Sequence, residues 1–141
     1  MSTLWVRHAP SSAAVARKGV QVAFQKAGLS ADDAYDAALI ASELVGNSVR
    51  HAAPLPSGHL AIEWTLDEHG YLLSVTDGGG EHDIAERAAD GHAVGGRGLM
   101  IVAALSRSWG VAVGKDTTTV WARGSIQPVG TSQTGELQAS Y

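Results

Sequence analysis

One segment of this 141-residue chain combines an apolar helical side with a line of polar side chains, and it restricts the possible folds most. It starts at Ser30, a helix N-cap residue followed three positions later by an acid, and it ends before Pro54. Because an α-helix turns about 100° per residue, Glu43, Asn47 and His51 lie along one side. The neighbouring side is apolar and consists of Ala37, Ala41, Leu44, Val45 and Ala52. We therefore predict one long helix with a buried side and a chemically active side.

The rest of the chain divides into short strand-like and helix-like segments. We predict strands at residues 3–7, 59–66, 71–76, 109–113 and 118–122, and further helices at 12–27 and 98–105. The last four strands form two hairpins, so the sheet should be mixed and mostly antiparallel, with the helices on one face. The predicted fold class is an α/β two-layer sandwich.

Composition limits the setting and the possible partners. The length fits one domain, which we place at residues 1–124, followed by a polar, disordered tail at 125–141. There is no cysteine, which excludes disulfides and thiolate metal sites. No apolar run is long enough for a membrane span and no signal-peptide pattern occurs, so a cytoplasmic protein is expected. The formal charge of −4, without a basic run, disfavours direct nucleic-acid binding.

Glycines form two clusters on either side of a long loop. The first, Gly78 to Gly80, directly follows Asp77 at a predicted strand end, and the second surrounds Arg97 before a predicted helix. A loop of this length within a compact domain is usually functional or disordered. The second cluster lacks the lysine of a P-loop, and Ile101 stands where a dinucleotide fingerprint needs glycine. Both of those phosphate-binding motifs are therefore excluded.

Three motifs, taken in order, resemble the ATP-binding domain of gyrase-type ATPases, histidine kinases and heat-shock chaperones, known as the Bergerat fold. They are the segment at 42–52, the turn Asp77-Gly78-Gly79, and the helix start Gly96-Arg97-Gly98-Leu99. The resemblance is closest to the bacterial anti-sigma factor serine kinases and covers residues 10–123. It implies that the chain binds ATP and Mg²⁺.

The resemblance also assigns roles to individual residues. Asn47 is implied as the magnesium ligand, and its amide oxygen suits a hard cation. Glu43 is implied as the base that deprotonates an attacking hydroxyl. Asp77 is an acceptor suited to the adenine amino group, and Gly79 allows the ring to approach the backbone. The remaining implied nucleotide contacts are His51, Gly96, Arg97, Gly98, Leu99 and Thr119.

The function that follows from the resemblance is that of an anti-sigma factor-type serine protein kinase. Such a protein phosphorylates a small antagonist protein and sequesters a sigma factor, and a homodimer is possible. One alternative is a non-catalytic, nucleotide-gated binding module. Another is the ATPase part of a split two-component system, although the chain shows no helical hairpin for dimerisation.

Overall fold

The computed structural model describes residues 1–80 and 98–126, in which the chain forms five strands and three helices. In chain order they are β1 (Ser2–Arg7), α1 (Ser12–Lys26), α2 (Ala31–His51), β2 (His59–Leu66), β3 (Gly70–Asp77), α3 (Gly98–Leu105), β4 (Ser108–Val113) and β5 (Thr118–Ser125). Every predicted strand and helix occurs, and β5 extends beyond its predicted end. Most of the predicted loop, and the predicted tail from residue 127, lie outside the described residues.

The strands form one sheet in the order β1-β2-β3-β5-β4, and each pairing between neighbours is antiparallel. The predicted α/β two-layer sandwich is confirmed. The parallel pair that a mixed sheet contains does not occur among the described strands. The reason is that the chain reaches the sheet edge at β4 and then returns beside β3 through a hairpin. In this register Asp77 at the end of β3 lies opposite Thr118 of β5.

One face of the sheet packs against the helices and forms the core. Alternate residues of β2 and β3, including Ile62 and Leu73, are fully buried there, as the two-residue period of a strand requires. Phe24 of α1 lies edge-on to two aromatic rings of this face. Its ring centroid is 5.9 Å from that of Trp64 and 5.3 Å from that of Tyr71. These contacts fix α1 against the centre of the sheet.

The long helix α2 forms as predicted. The Ser30 hydroxyl accepts a hydrogen bond from the backbone N–H of Asp33 at 3.1 Å, which satisfies one of the unpaired donors at the helix start. Four residues of the predicted apolar side are fully buried, namely Ala37, Ala41, Leu44 and Val45, whereas Ala52 is half-buried. Because this side is anchored in the core, the last two turns of α2 lie close to the end of β3.

The opposite face of the sheet is more exposed, and Trp5 lies on it with 58% of its surface accessible. Strands β1 and β4 are the two edges of the sheet. A sheet edge or α1 would permit a homodimer, which stays a prediction. Among residues 1–80 and 98–126, no helix has the length and apolar character needed to cross a membrane.

Candidate functional site

The candidate site lies where the last turns of α2 meet the end of β3. Two backbone hydrogen bonds join these elements just beyond their ends: Gly78 N–H donates to the Ala53 carbonyl, and Ala53 N–H donates to the Gly79 carbonyl, each at 2.8 Å. A Cβ at Gly78 would collide with the carbonyl oxygen of Pro54. Glycine at position 78 is therefore required by close packing of the two chain segments. This bridge fixes the loop after β3 relative to the helix.

Asp77 is the buried acid of the site, with no exposed surface. Its Oδ2 accepts a hydrogen bond from the Ser48 hydroxyl at 2.7 Å, and its Oδ1 accepts one from the Gly79 backbone N–H at 2.8 Å. Burial raises the pKa of Asp77, while these two bonds and the nearby His8 oppose that rise. Both oxygens are thus held in place, and each retains a further lone pair for a donor from a ligand.

Gly79 adopts a backbone conformation that favours glycine, with φ of +74°. The position of its absent Cβ lies 3.6 Å from the Thr118 hydroxyl oxygen, so the space beside it is open to ordinary contact. The left-handed turn brings the Gly79 N–H back to Asp77. The predicted role of Gly79 in close approach of a ring stays a prediction. Its conformational role is visible in the structure.

Asn47 lies one residue before Ser48 and is 1% exposed. Its Oδ1 accepts a hydrogen bond from Nη2 of Arg50 at 3.2 Å. Its Nδ2 atom is buried and has no hydrogen-bond partner within the described part of the chain. A buried amide with an unsatisfied donor usually costs about 1–3 kcal/mol, so such a group is expected where a ligand completes it. The amide oxygen is chemically suited to Mg²⁺.

Glu43 lies one helical turn before Asn47, is half-buried, and borders a groove between α1 and α2. The groove has a volume of about 280 Å³, and its other lining residues are Ala13, Ala14, Arg17, Ser42, Gly46 and Arg50. Small residues make its floor, and two arginines accompany the carboxylate. The Glu43 carboxylate therefore borders an open groove on the surface of the two helices.

The remaining predicted residues are distributed as follows. His51 is half-buried at the last position of α2, one turn after Asn47. Gly98 begins α3, and Leu99 is buried beside Trp109 and Val111 of β4, where it packs as a core residue. Gly96 and Arg97 lie outside the described residues, so their predicted phosphate contacts stay predictions.

The structure does not bring Thr119 to the site. Its hydroxyl lies 2.8 Å from that of Thr76 on the opposite face of the sheet. Thr118 is the β5 residue on the Asp77 side: it is 5% exposed and pairs with Asp77 in the strand register. Because neighbouring strand residues point to opposite faces, a shift of one position reverses the assignment. Thr118 therefore replaces Thr119 as the candidate contact from β5.

His8 is a further site residue that sequence patterns do not indicate. Its Nε2 lies 2.6 Å from the Ala52 carbonyl oxygen and 3.2 Å from that of Ser48. Since both partners are acceptors, Nε2 carries a proton and donates to them. The Ser48 carbonyl lies in the last turn of α2 and also accepts the Ala52 backbone N–H at 3.0 Å, whereas Ala52 is the C-cap residue just past the helix. His8 thereby ties the end of β1 to the helix that holds Asn47 and Ser48.

Comparison with known proteins agrees with this geometry. A family model described as a histidine kinase-like ATPase domain matches residues 6–123. Among solved structures, the chain is similar to the RsbU and RsbW domains of Rv1364c from Mycobacterium tuberculosis, with a TM-score of 0.63 and 19% identity over 91% of this chain. The match covers 34% of that protein, so the chain spans about a third of its length, and the likeness concerns the fold. The curated proteins contain no match to this sequence.

Proposed function

Because the chain belongs to the histidine kinase-like ATPase domain family, we propose that it is an ATP- and Mg²⁺-binding serine protein kinase of the anti-sigma factor type. In this proposal it acts in the cytoplasm, phosphorylates a small antagonist protein on serine, and sequesters a sigma factor. The observation that carries the proposal is the fully buried Asp77, locked by Ser48 to the same helix that presents Asn47 and Glu43. In this proposal α2 carries the base Glu43 and the metal ligand Asn47, and its Ser48 holds the buried acceptor Asp77 in place.

Asp77 is the proposed adenine-recognising group. An ionised carboxylate only accepts hydrogen bonds, so it pairs with the exocyclic amino group of adenine and repels the carbonyl oxygen that guanine has in its place. Burial strengthens this discrimination, because no water can compensate a mismatched pair. ATP is therefore the expected nucleotide, and GTP should bind much more weakly.

Asn47 is the proposed ligand of the metal. Its Oδ1 would hold Mg²⁺. Its buried Nδ2 is a donor and would need a separate acceptor, because the cation cannot satisfy it. The metal, when bound, supplies positive charge that balances the nucleotide phosphates. The contribution of the chain is to hold the amide oxygen at a fixed place on α2, away from bulk water.

Glu43 is the proposed base. Its place beside the groove allows a serine hydroxyl of the antagonist to reach it. The hydroxyl proton passes to the Glu43 carboxylate while the serine oxygen bonds to the γ-phosphorus of the substrate ATP. The bond from that phosphorus to the β–γ bridging oxygen breaks, and ADP leaves.

The groove also supports a second candidate function, a nucleotide-gated binding module without phosphotransfer. A partner segment can occupy the space between α1 and α2 whether or not Glu43 takes a proton. The two functions differ in their dependence on Glu43. Only the kinase loses its product when this carboxylate becomes an amide.

Affinity capture from native lysate, with ADP or ATP present, separates the two. The bait is the wild-type protein or Glu43→Gln, which keeps the size of the side chain and removes its basicity. We expect a sigma factor with both baits, and a small protein carrying phosphoserine with the wild type and ATP. Partners captured in a nucleotide-dependent manner, without phosphoserine from either bait, would instead support the binding module. Equal binding of ATP and GTP by the purified protein would contradict the role given to Asp77.

A further inference from the structure

We infer that Arg50 stands in for the metal cation at Asn47 until metal and nucleotide bind, and that Gly46 is the residue that permits this. The inference rests on the proposed function, because it concerns how Mg²⁺ reaches Asn47. It adds two residues to the site: Arg50 as a positioning residue, and Gly46 as the residue whose missing side chain leaves space for the Arg50 guanidinium.

The contact itself involves the atom that the metal would use. Nη2 of Arg50 donates to Oδ1 of Asn47 at 3.2 Å, three residues earlier on α2. A guanidinium is permanently positive, so it presents to this oxygen the same sign of charge as a metal ion. The Asn47 side chain is almost completely buried, whereas Arg50 is exposed. The Arg50 guanidinium and Mg²⁺ would therefore compete for the same oxygen, Oδ1 of Asn47.

The absence of a side chain at Gly46 leaves space for the Arg50 guanidinium beside Asn47. Glycine within a helix is unfavourable relative to alanine, and Gly46 stands in the interior of the 21-residue α2. It is not among the described glycines with positive φ, so backbone conformation does not require it. Apart from its chain neighbours and the backbone of the helix itself, the three atoms nearest to its absent Cβ belong to the Arg50 guanidinium, the first being Nη1 at 3.2 Å. The space left by the missing side chain is thus filled by Arg50.

This arrangement predicts a competition. Without metal, the guanidinium satisfies the buried oxygen and supplies positive charge at the site. When Mg²⁺ binds, that oxygen must exchange one cation for the other. Arg50 should therefore reduce the factor by which Mg²⁺ strengthens nucleotide binding, and removal of the contact should increase this factor.

The test measures that factor by calorimetric titration of ADP, once with excess EDTA and once with saturating Mg²⁺. Arg50→Met removes the positive charge. Gly46→Leu keeps the Arg50 charge but fills the space that the guanidinium occupies. Because the arginine is exposed, we expect each variant to raise the factor about fivefold over the wild type. The matched control is Arg17→Met. It removes a charge from the same groove, but Arg17 bonds to the Tyr35 hydroxyl, so the factor should not change.

A second measurement needs no nucleotide. In ¹⁵N-labelled apo protein, the side-chain amide resonances of Asn47 should shift in both Arg50→Met and Gly46→Leu, and thermal melting should show that both variants are folded. The inference is overturned if the factor stays at the wild-type value in folded Gly46→Leu, or if Arg17→Met raises it as much as Arg50→Met does. Wild-type protein that binds no ADP under either condition would refute the proposed function itself. Normal binding with an unchanged factor in the variants would refute only the role of Arg50.

Discussion

The hydrogen bond from Ser48 to Asp77 gives the most direct test of how the buried acid is held. We expect Ser48→Ala to lower the free energy of unfolding at neutral pH by about 1.5–3 kcal/mol, the range for a hydrogen bond to a charged group. Solvent does not screen this bond, because Asp77 has no exposed surface and the donor–acceptor distance is 2.7 Å. The substitution removes one of the two bonds that hold the carboxylate, so affinity for ATP should also fall.

The loss should depend on pH, with a definite sign. Burial raises the pKa of Asp77 above its usual value, despite the opposing bonds from Ser48 and Gly79. The folded protein thus binds this proton more tightly than the unfolded chain does, and stability falls as pH rises from the unfolded pKa to the folded pKa. Removal of Ser48 raises the pKa of Asp77 further and enlarges that fall. The destabilisation should therefore be smallest in acid, where Asp77 is protonated in both states, and should reach its full value above the folded pKa.

Urea unfolding of wild type and variant, from acid to neutral pH, measures this difference. Ser42→Ala is the matched control, because Ser42 is buried on the same helix and donates to the neutral Leu39 carbonyl at 2.9 Å. We expect it to cost about 1 kcal/mol at every pH. The reasoning fails if the two variants show the same pH dependence, or if Ser48→Ala is the milder of the two at neutral pH.

Substitutions around the end of β3 should separate recognition from packing. Asp77→Asn should weaken ATP binding about 100-fold in a calorimetric titration, because its amide presents a donor to the adenine amino group. Gly78→Ala should lower the free energy of unfolding by about 1–3 kcal/mol in urea, since its methyl group meets the Pro54 carbonyl; an unchanged midpoint would contradict the tight packing. Thr118→Val should weaken ATP binding about tenfold, the effect of one lost hydrogen bond. Thr119→Val should bind like the wild type, and the reverse order would restore Thr119 to the site.

The sequence pattern predicts the long helix and the sheet well, because local signals and burial agree there. The Ser30 cap determines where α2 begins, the apolar side determines which face packs on the sheet, and the structure confirms both. Three site candidates on this framework, Glu43, Asn47 and Asp77, are consequently placed on neighbouring elements. Their chemical roles remain predictions, and the structure shows that Asn47 and Asp77 are buried.

The features of the site that sequence patterns do not predict depend on contacts between residues far apart in the chain, or on which face of the sheet a strand residue occupies. Thr118 and Thr119 are both threonines in a strand, and only the register with β3 shows which of them faces Asp77. His8 is a single histidine after a short strand, and its contact with the Ala52 carbonyl joins residues 44 positions apart. Gly46 and Arg50 are only four residues apart on α2, but their contact depends on the side-chain conformation of Arg50, which the sequence spacing does not determine.

The pair of backbone bonds between Ala53 and the glycines after β3 has a consequence for motion. Neither amide can exchange its proton with solvent unless the helix end and the strand end separate, so the two amides form one opening unit. Asn47 and Asp77 lie on the two sides of that connection. A ligand that holds either side therefore slows exchange on both, and substitutions on the two sides should have non-additive effects on the stability of this region.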